Sequence, residues 1–506
     1  MNMNQKYLRV GVIIAALLLA GLYNVITHPW MLDDAYISFR YAENLASGNG
    51  PVFNPGEKVE GYTTFLWIVL LALGKRLGAE LTLLSKLLGI AFAAGTLLLL
   101  ANARHFIRYL DERTPLRAVL FLATCAAFSP WAMTGMEVTL FTFEVTFLIL
   151  YYFLLKESSA GRWRWAALGL AAALTAMTRP EGILVFGLIF LDIAAGWLRT
   201  RNGIRLYSLF SFSLIYIPYS LWRLTYYGYL FPNTFYVKVG FGWEQALRGF
   251  HYLSAFLIPA ALLVFLFLNF SMALPGFHPY KKLYLIPALI GTYTLYIVSV
   301  GGDVWAAFRF FTPLLPLLCL SAALSLEMFV QKKMIGRTAV IILSVLAIAW
   351  NVFQFRANDV FYPKIKRDQA AGRGVLVGLW LRIHSRPDAL LATNTAGSIP
   401  YVSRLKTIDM LGLNDLHIAH KKITRIGQGL AGHEKGDGAY VLSKMPDYIH
   451  LGPALGSALP WPGFIGDREI YENPEFHRLY RLEKVALKSG ETLFIYKRLR
   501  QGTADE

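Results

Sequence analysis

The sequence predicts a polytopic α-helical membrane protein with an α/β domain at its C-terminal end. Composition is the first reason: of 506 residues 56% are hydrophobic and 16% charged, where a soluble chain carries about 25% charged residues. The second is that long apolar runs recur from residue 8 to about residue 355, separated by short clusters of Lys, Arg, Pro and Gly. The third is a change of character near residue 356, after which charges, glycines and prolines are frequent and no run is long enough to span. A helix needs roughly 20 apolar residues to cross the hydrocarbon core, where backbone polar groups must be paired. Barrel strands would alternate in polarity, and these runs do not.

The individual spans follow from the positive-inside bias. Basic clusters stand at Lys6/Arg9, Arg104/Arg108/Arg113/Arg117, Lys156/Arg162/Arg164, Arg199/Arg201/Arg205, Lys281/Lys282 and Lys332/Lys333/Arg337. With all six in the cytoplasm, about eleven spans fit and the chain ends outside. They run 8–26, 83–103, 117–134, 138–155, 164–178, 182–198, 206–225, 250–270, 283–299, 311–330 and 338–355. The first has a basic start and no small-residue cleavage site after it, so it reads as an uncleaved span with a cytoplasmic N-terminus. Counting segment 62–78 as a span would put later basic clusters on the wrong side. It is therefore expected to lie along the outer surface, with Lys75 and Arg76 at the interface. This divides the chain into a membrane module, 1–355, with a long outer loop at 27–82, and a soluble domain, 356–506. In that domain short apolar runs (389–392, 492–496) alternate with helical patterning (375–383), which predicts an α/β arrangement.

The net charge of +17 does not point to nucleic acid. Much of the positive charge sits between apolar runs, as cytoplasmic loops facing anionic lipid require, and no nucleic-acid recognition motif accompanies it. Cys125 and Cys319 fall inside apolar runs and read as packing residues.

The acidic residues fall in a pattern. Asp33, Asp34, Glu43, Glu57 and Glu60 lie in the first outer loop, and Glu137 in the next outer turn. Arg179-Pro180-Glu181 forms the third, Pro232-Asn233-Thr234 with Lys238 the fourth, and Gly301-Gly302-Asp303 with Arg309 the fifth. Ionisable groups beside apolar spans are costly and usually face a cavity or a partner. Carboxylates and cations on one face suggest a site for a polar, phosphorylated ligand at the outer membrane surface. Plainer uses stand beside this one. Asp33-Asp34 also suits the cap of a helix over 35–47, although a cap needs only one carboxylate. Arg179-Pro180-Glu181 also fits a turn between spans, and Lys238 and Arg309 also fit snorkelling cations. Tyr62, Trp67, Trp131 and Trp305 suit an aromatic belt. Asn394, Asp409, Asn414 and Asp415, near Gly397 and Gly412, suit turns.

Residues 32–67, LDDAYISFRYAENLASGNGPVFNPGEKVEGYTTFLW, resemble the first outer loop of GT-C glycosyltransferases that use polyprenyl-phosphate sugars. The likeness is to the mycobacterial terminal arabinofuranosyltransferases and their bacterial relatives. Gly301-Gly302-Asp303, Phe308-Arg309-Phe310-Phe311, Ala396-Gly397-Ser398-Ile399-Pro400-Tyr401 and Ile408-Asp409-Met410-Leu411-Gly412-Leu413 look like that group too. The resemblance implies a GT-C fold in a bacterial inner membrane, with a periplasmic C-terminal domain. It implies a catalytic carboxylate in the first loop, which maps onto Asp33 or Asp34.

Sugar transfer from a polyprenyl phosphate needs a carboxylate to take the acceptor's proton and cations to hold the departing phosphate. The expected assignment gives the first role to Asp33 or Asp34 and the second to Arg179, Lys238 and Arg309. Arg40, Tyr41, Glu60, Tyr62, Glu137, Glu181, Asn233 and Asp303 are then the residues expected at the sugar and acceptor. Mg²⁺ or Ca²⁺ on the paired aspartates would also be chemically reasonable. The sugar expected is D-arabinofuranose and the acceptor a cell-envelope glycan or a protein. Competing readings are a pilin-type protein glycosyltransferase with another sugar, a flippase for a lipid-linked sugar, and a scaffold binding envelope glycans. A flippase would more often show repeated halves with ionisable groups at mid-membrane, and neither is visible here.

Overall fold

The computed structural model describes residues 3–27, 30–240, 242–278, 280–423 and 426–499. The first helices are α1 (Met3–Thr27), α2 (Asp33–Ala46), α3 (Phe65–Arg76), α4 (Leu81–Ala101), α5 (Ala103–Phe106), α6 (Arg113–Thr124), α7 (Val138–Lys156), α8 (Arg162–Thr178) and α9 (Glu181–Thr200). Next come α10 (Tyr207–Tyr227), α11 (Asn233–Lys238), α12 (Trp243–Leu257), α13 (Ala261–Ala273), α14 (Leu285–Ser299), α15 (Leu315–Gln331), α16 (Arg337–Ala357) and α17 (Tyr362–Arg367). The remainder mixes helix and strand: α18 (Ala370–His384), β1 (Leu390–Thr393), α19 (Ser398–Ser403), β2 (Lys406–Asp409), α20 (Leu416–His420) and α21 (Gly438–Ser443). It ends with β3 (Tyr448–His450), α22 (Ile465–Tyr471), α23 (Pro474–Leu479), β4 (Tyr480–Ala486) and β5 (Thr492–Arg498).

These elements fall into two compact units. A helical unit holds Met1–Trp30, Thr82–Trp222 and Gly249–Arg367, and a mixed unit holds Met31–Leu81, Arg223–Arg248 and Asp368–Glu506. The C-terminal domain expected at 356–506 thus starts later, at Asp368, and shares its unit with the first long loop and the 223–248 segment. The reason is chemical: polar side chains of those two segments find their partners on the C-terminal backbone, as described below.

In the helical unit, seven helical stretches among the described residues are long and apolar enough to cross a membrane, or up to eight if one bent pair counts as a span. They are carried by α1, α4, α7, α9, α14, α15 and α16. Eleven is not reached on that measure, because α6 has 12 residues and α8 has 17, and α10 is interrupted by serines and Pro218. The span expected at 250–270 is broken: α12 and the helix after it meet at 98°. Pro259 explains the break, since the residue before a proline is driven out of helical geometry and α12 stops at Leu257. Helix α15 lies inside the unit, with Leu317, Leu320, Ala322, Ala323 and Leu324 fully buried. Helices α1, α9 and α16 keep large apolar side chains exposed, among them Leu18, Val25, Leu191, Ile341 and Val345. Such contiguous apolar faces suit lipid contact.

In the mixed unit, α3 lies within the segment 62–78 that was expected not to span. Its 12 residues make a rod about 18 Å long, well short of a ~30 Å hydrocarbon core. A five-stranded sheet follows the order β2-β1-β3-β5-β4, with β1 parallel to β2 and β3 and antiparallel pairs at β3–β5 and β4–β5. β1 and β3 are short and almost fully buried, as parallel strands covered on both faces must be. Val377, Leu381, Leu391 and Ile495 pack in one cluster, and Ile449, Ile470, Phe476 and Tyr496 in another. Register aligns Thr393 with both Asp409 and His450, so the three parallel strands end in one row. Ligand crevices of open α/β sheets lie beyond such strand ends.

Candidate functional site

The acids of the outer turns resolve into two groups, one in each unit. In the helical unit, α8 ends because Pro180 follows Arg179, and α9 then begins with Glu181 in its first turn, where the helix dipole favours a carboxylate. Arg179 donates from Nη1 to Glu137 Oε1 at 2.5 Å and from Nη2 to Glu181 Oε1 at 2.8 Å. All three side chains are buried. Arg309 lies along Asp303, with Nη2 3.0 Å from Oδ1 and Nε 2.8 Å from Oδ2. The Phe310 ring sits 5.4 Å from the Arg179 guanidinium carbon and 5.3 Å from that of Arg309, joining the two groups. Ala307 and Phe308, just before Arg309, hold φ of +56° and +50°. Non-glycine residues there carry strain of about 1–3 kcal/mol, which is paid by the surrounding packing. Trp131 supplies part of it, donating from Nε1 to Ala307 O at 3.0 Å.

The group contains three carboxylates, Glu137, Glu181 and Asp303, against two guanidiniums, Arg179 and Arg309. Each guanidinium has a carboxylate partner, Glu137 and Glu181 for Arg179 and Asp303 for Arg309. Tyr62, Trp67 and Trp131 are buried inside protein rather than arrayed as a belt.

In the mixed unit, Asp33 and Asp34 open α2. Asp33 Oδ2 accepts from Gly397 N at 2.9 Å, and Oδ1 accepts from Ser398 N at 2.8 Å and Ser398 Oγ at 2.5 Å. A Cβ at Gly397 would collide with the Asp33 carbonyl, so only glycine lets the two backbones approach this closely. Burial raises the Asp33 pKa, and Asp34 adds to the rise, against the three hydrogen bonds. Asp34 follows on the same turn, half-buried.

The other first-loop candidates hold the loop together. Arg40 donates to the carbonyls of Phe53 (2.7 Å), Pro400 (2.5 Å) and Leu405 (2.8 Å) and to Asn54 Oδ1 (3.0 Å). Tyr41 OH donates to Val59 O at 2.8 Å and accepts from Gly61 N. Asn233 Nδ2 reaches the carbonyls of Gly412, Leu413 and Asp415 at 2.8, 3.1 and 3.2 Å. Tyr62 shares a hydrogen bond with Tyr227, and Glu60 pairs with Arg223 at 2.6 Å. Arg40, Tyr41, Tyr62, Glu60 and Asn233 therefore tie protein segments together.

Lys238 ends α11 and runs its stem past Gly432. The residue after that glycine is His433, which the sequence reading passed over. The signal available was the glycine-rich stretch Gly427-Gln428-Gly429-Leu430-Ala431-Gly432-His433. Beyond the row of strand ends, Asp409 accepts from Leu411 N and from Asn414 N and Nδ2, and Asp467 accepts from Asn394 Nδ2, Gly452 N and Trp461 N. Burial pushes both carboxyls up to about 6. No group of three or more His, Cys, Asp or Glu among the described residues is placed to hold a metal ion.

This is the GT-C fold of membrane glycosyltransferases. ArnT from Cupriavidus metallidurans, bound to undecaprenyl phosphate, superposes with a TM-score of 0.52 at 13% identity, covering 81% of this chain and 86% of that one. AglB from Archaeoglobus fulgidus, in complex with an inhibitory peptide and a dolichol-phosphate, gives 0.56 at 12% identity over 97% and 74%. The arabinofuranosyltransferase AftD from Mycobacteria gives 0.53 at 15% identity over 98% and 40%.

In sequence the chain is similar to terminal β-(1→2)-arabinofuranosyltransferases. It is 33% identical over 264 residues to that of Mycobacterium tuberculosis, covering 48% of this chain and 40% of the relative. It is 27% identical over 315 residues to that of Corynebacterium glutamicum, covering 55% and 45%. The aligned region thus spans less than half the length of these relatives. A family model described as a domain of unknown function (DUF8728) matches residues 363–496, most of the C-terminal part of the mixed unit.

Proposed function

We propose that this protein is a membrane glycosyltransferase that moves a sugar, D-arabinofuranose, from a polyprenyl-phosphate donor to a cell-envelope glycan or protein. The reaction takes place at the periplasmic face of a bacterial inner membrane. The similarity to terminal arabinofuranosyltransferases supports the sugar. ArnT bound to undecaprenyl phosphate and AglB with dolichol-phosphate, both of the same fold, support the class of carrier.

The observation that carries the reading is the fixed Asp33 beside Asp34 at the start of α2. Asp33 is locked by two main-chain N–H groups and a hydroxyl, and the reacting carboxylate in this reading is its neighbour Asp34. The acceptor hydroxyl attacks C1 of the sugar, its proton passes to an Asp34 oxygen, and the C1–O bond to phosphate breaks with the electron pair leaving on phosphate. Lys238 is the cation that meets the phosphate charge. Arg179 and Arg309 hold the helical unit together instead.

The test is transfer by purified protein in detergent, offered a short synthetic polyprenyl-phosphate arabinofuranose and a mixed set of acceptors. Wild type is expected to form product from this donor faster than from lipid-linked hexoses. If no lipid-linked sugar yields product, the reading fails, and lipid-linked sugar transport becomes the reading to pursue.

A further inference from the structure

One cleft in the helical unit is lined by none of the residues placed in the transfer chemistry. Its volume is about 740 Å³, within the range of pockets that hold small ligands. It lies where α1 begins its apolar stretch and α4 ends, the two stretches running Arg9–Thr27 and Leu81–Ala101. Arg9 Nη2 donates to Asn102 Oδ1 at 2.5 Å, which sets these two helix ends side by side. Asn102 in turn donates from Nδ2 to Leu98 O at 2.7 Å, so its amide is fixed on the last turn of α4.

The lining has a polar end and an apolar end. Arg9, Arg104 and His105 bring nitrogen donors to the first, and among the described lining residues none is acidic. The Asn102 amide oxygen orients the Arg9 guanidinium without cancelling its charge, and that bond uses one of five N–H donors. Arg104 pairs with Glu112 at 2.5 Å, but the two side chains are 49% and 35% exposed. An exposed pair of this kind holds weakly and can exchange its carboxylate for another anion. Gly95 and Leu98, on the last two turns of α4, and Phe143 of α7 form the apolar end. A Cβ on Gly95 would come within 3.1 Å of the Phe143 ring, so the missing side chain is what lets that ring lie against α4.

An occupant that satisfies both ends is an amphiphile with an anionic head. A free anion leaves the apolar end empty, and a neutral lipid leaves the guanidiniums without a counter-charge. Arg9 and Arg104 belong to the basic clusters expected on the cytoplasmic side, where anionic lipid concentrates. We infer that this cleft binds an anionic phospholipid. The phosphodiester sits on Arg9 and Arg104, and an acyl chain runs along Gly95, Leu98 and Phe143. The lipid then ties the start of α1 to the end of α4 and to α7, and no bond is made or broken.

Radiolabelled phosphatidylglycerol titrated against the full-length protein in detergent micelles tests this, with unfolding temperature as the control for folding. Saturable binding is expected. Unlabelled phosphatidylglycerol should displace the label about tenfold better than phosphatidylcholine of the same chains, and inorganic phosphate should not displace it. Arg9→Gln and Arg104→Gln should each weaken binding about fivefold. Leu98→Trp, which fills the apolar end and keeps both charges, should weaken it by about as much. Arg108→Gln removes an exposed cation of the same basic cluster outside the cleft and should leave binding within about twofold of wild type. Equal displacement by phosphatidylcholine overturns the inference, and displacement by inorganic phosphate marks a free-anion site and overturns it too. So does a loss in Arg108→Gln equal to that in Arg9→Gln, which marks a diffuse basic surface, or wild-type binding in a folded Leu98→Trp.

Discussion

Two groups of carboxylates, one in each unit, are held in different ways. In the helical unit each carboxylate of the turn cluster faces a guanidinium: Glu137 and Glu181 on Arg179, Asp303 on Arg309. In the mixed unit Asp33, Asp409 and Asp467 rest instead on main-chain N–H groups, hydroxyls and amides. A guanidinium cancels a carboxylate's charge and fastens it, which suits a group between apolar spans where an unpaired charge is prohibitive. Neutral donors orient a carboxylate and leave its charge in place. That is what a proton-accepting pair needs, and it leaves these groups sensitive to burial. All three have raised pKa values for that reason.

The sharpest way to break this comparison is to remove a cation from the first kind of group. Arg179→Ala leaves two buried carboxylates facing each other and should cost about 3–5 kcal/mol, read as a large drop in detergent unfolding temperature. Adding Glu137→Gln and Glu181→Gln to that variant should recover part of the loss; if it does not, the charge argument is wrong. The second kind of group should respond to pH. Asp467 sits at about 6 in the folded protein, above its ordinary 3.8, so folding favours its protonated form. Its contribution is present in full below about pH 4 and is lost as pH rises through about 6, by about 3 kcal/mol at most. The difference in unfolding midpoint between wild type and Asp467→Asn should change across that window, and a constant difference contradicts it. Gly397→Ala should cost about 1–3 kcal/mol, because its new methyl meets the Asp33 carbonyl. Transfer should fall with it, since the Asp33 anchor moves. The smallest effect belongs to an exposed pair: Arg478→Ala, removing the 2.6 Å contact to Glu475, should change stability by less than about 0.5 kcal/mol.

Much of the fold was legible because a membrane imposes a strong pattern. The runs behind α1, α4, α7, α9, α15 and α16 are long and apolar, and the basic clusters that follow set the segment holding α3 apart from them. Pro259 was visible too, yet a hydropathy count averages across it and reports one straight span where the chain turns by 98°. Interior tryptophans are likewise hidden, since an apolar side chain at a span end looks the same whether it faces lipid or protein. The first-loop acids stood out in the sequence, but their partners did not. Asp33 meets Ser398 across 365 residues and Arg179 meets Glu137 across 42, separations on which periodicity is silent. The bonds of Arg40, Tyr41 and Asn233 to backbone carbonyls were invisible for the same reason, because carbonyls supplied by folding leave no trace in the sequence. The 427–432 stretch carried no reading in the sequence, although positive φ at Gly427 and Gly432 is what lets that loop reach Gln245 and Lys238.

The claim that most of this depends on is the division of labour between two adjacent aspartates. The direct measurement compares Asp33→Asn and Asp34→Asn for kcat in the purified transfer assay, alongside donor binding and unfolding temperature. The account predicts a fall of about 10²–10⁴-fold for Asp34→Asn with folding and donor binding retained, and a smaller fall for Asp33→Asn accompanied by lower stability. Wild-type turnover in Asp34→Asn, with transfer abolished only in a fully stable Asp33→Asn, would contradict it.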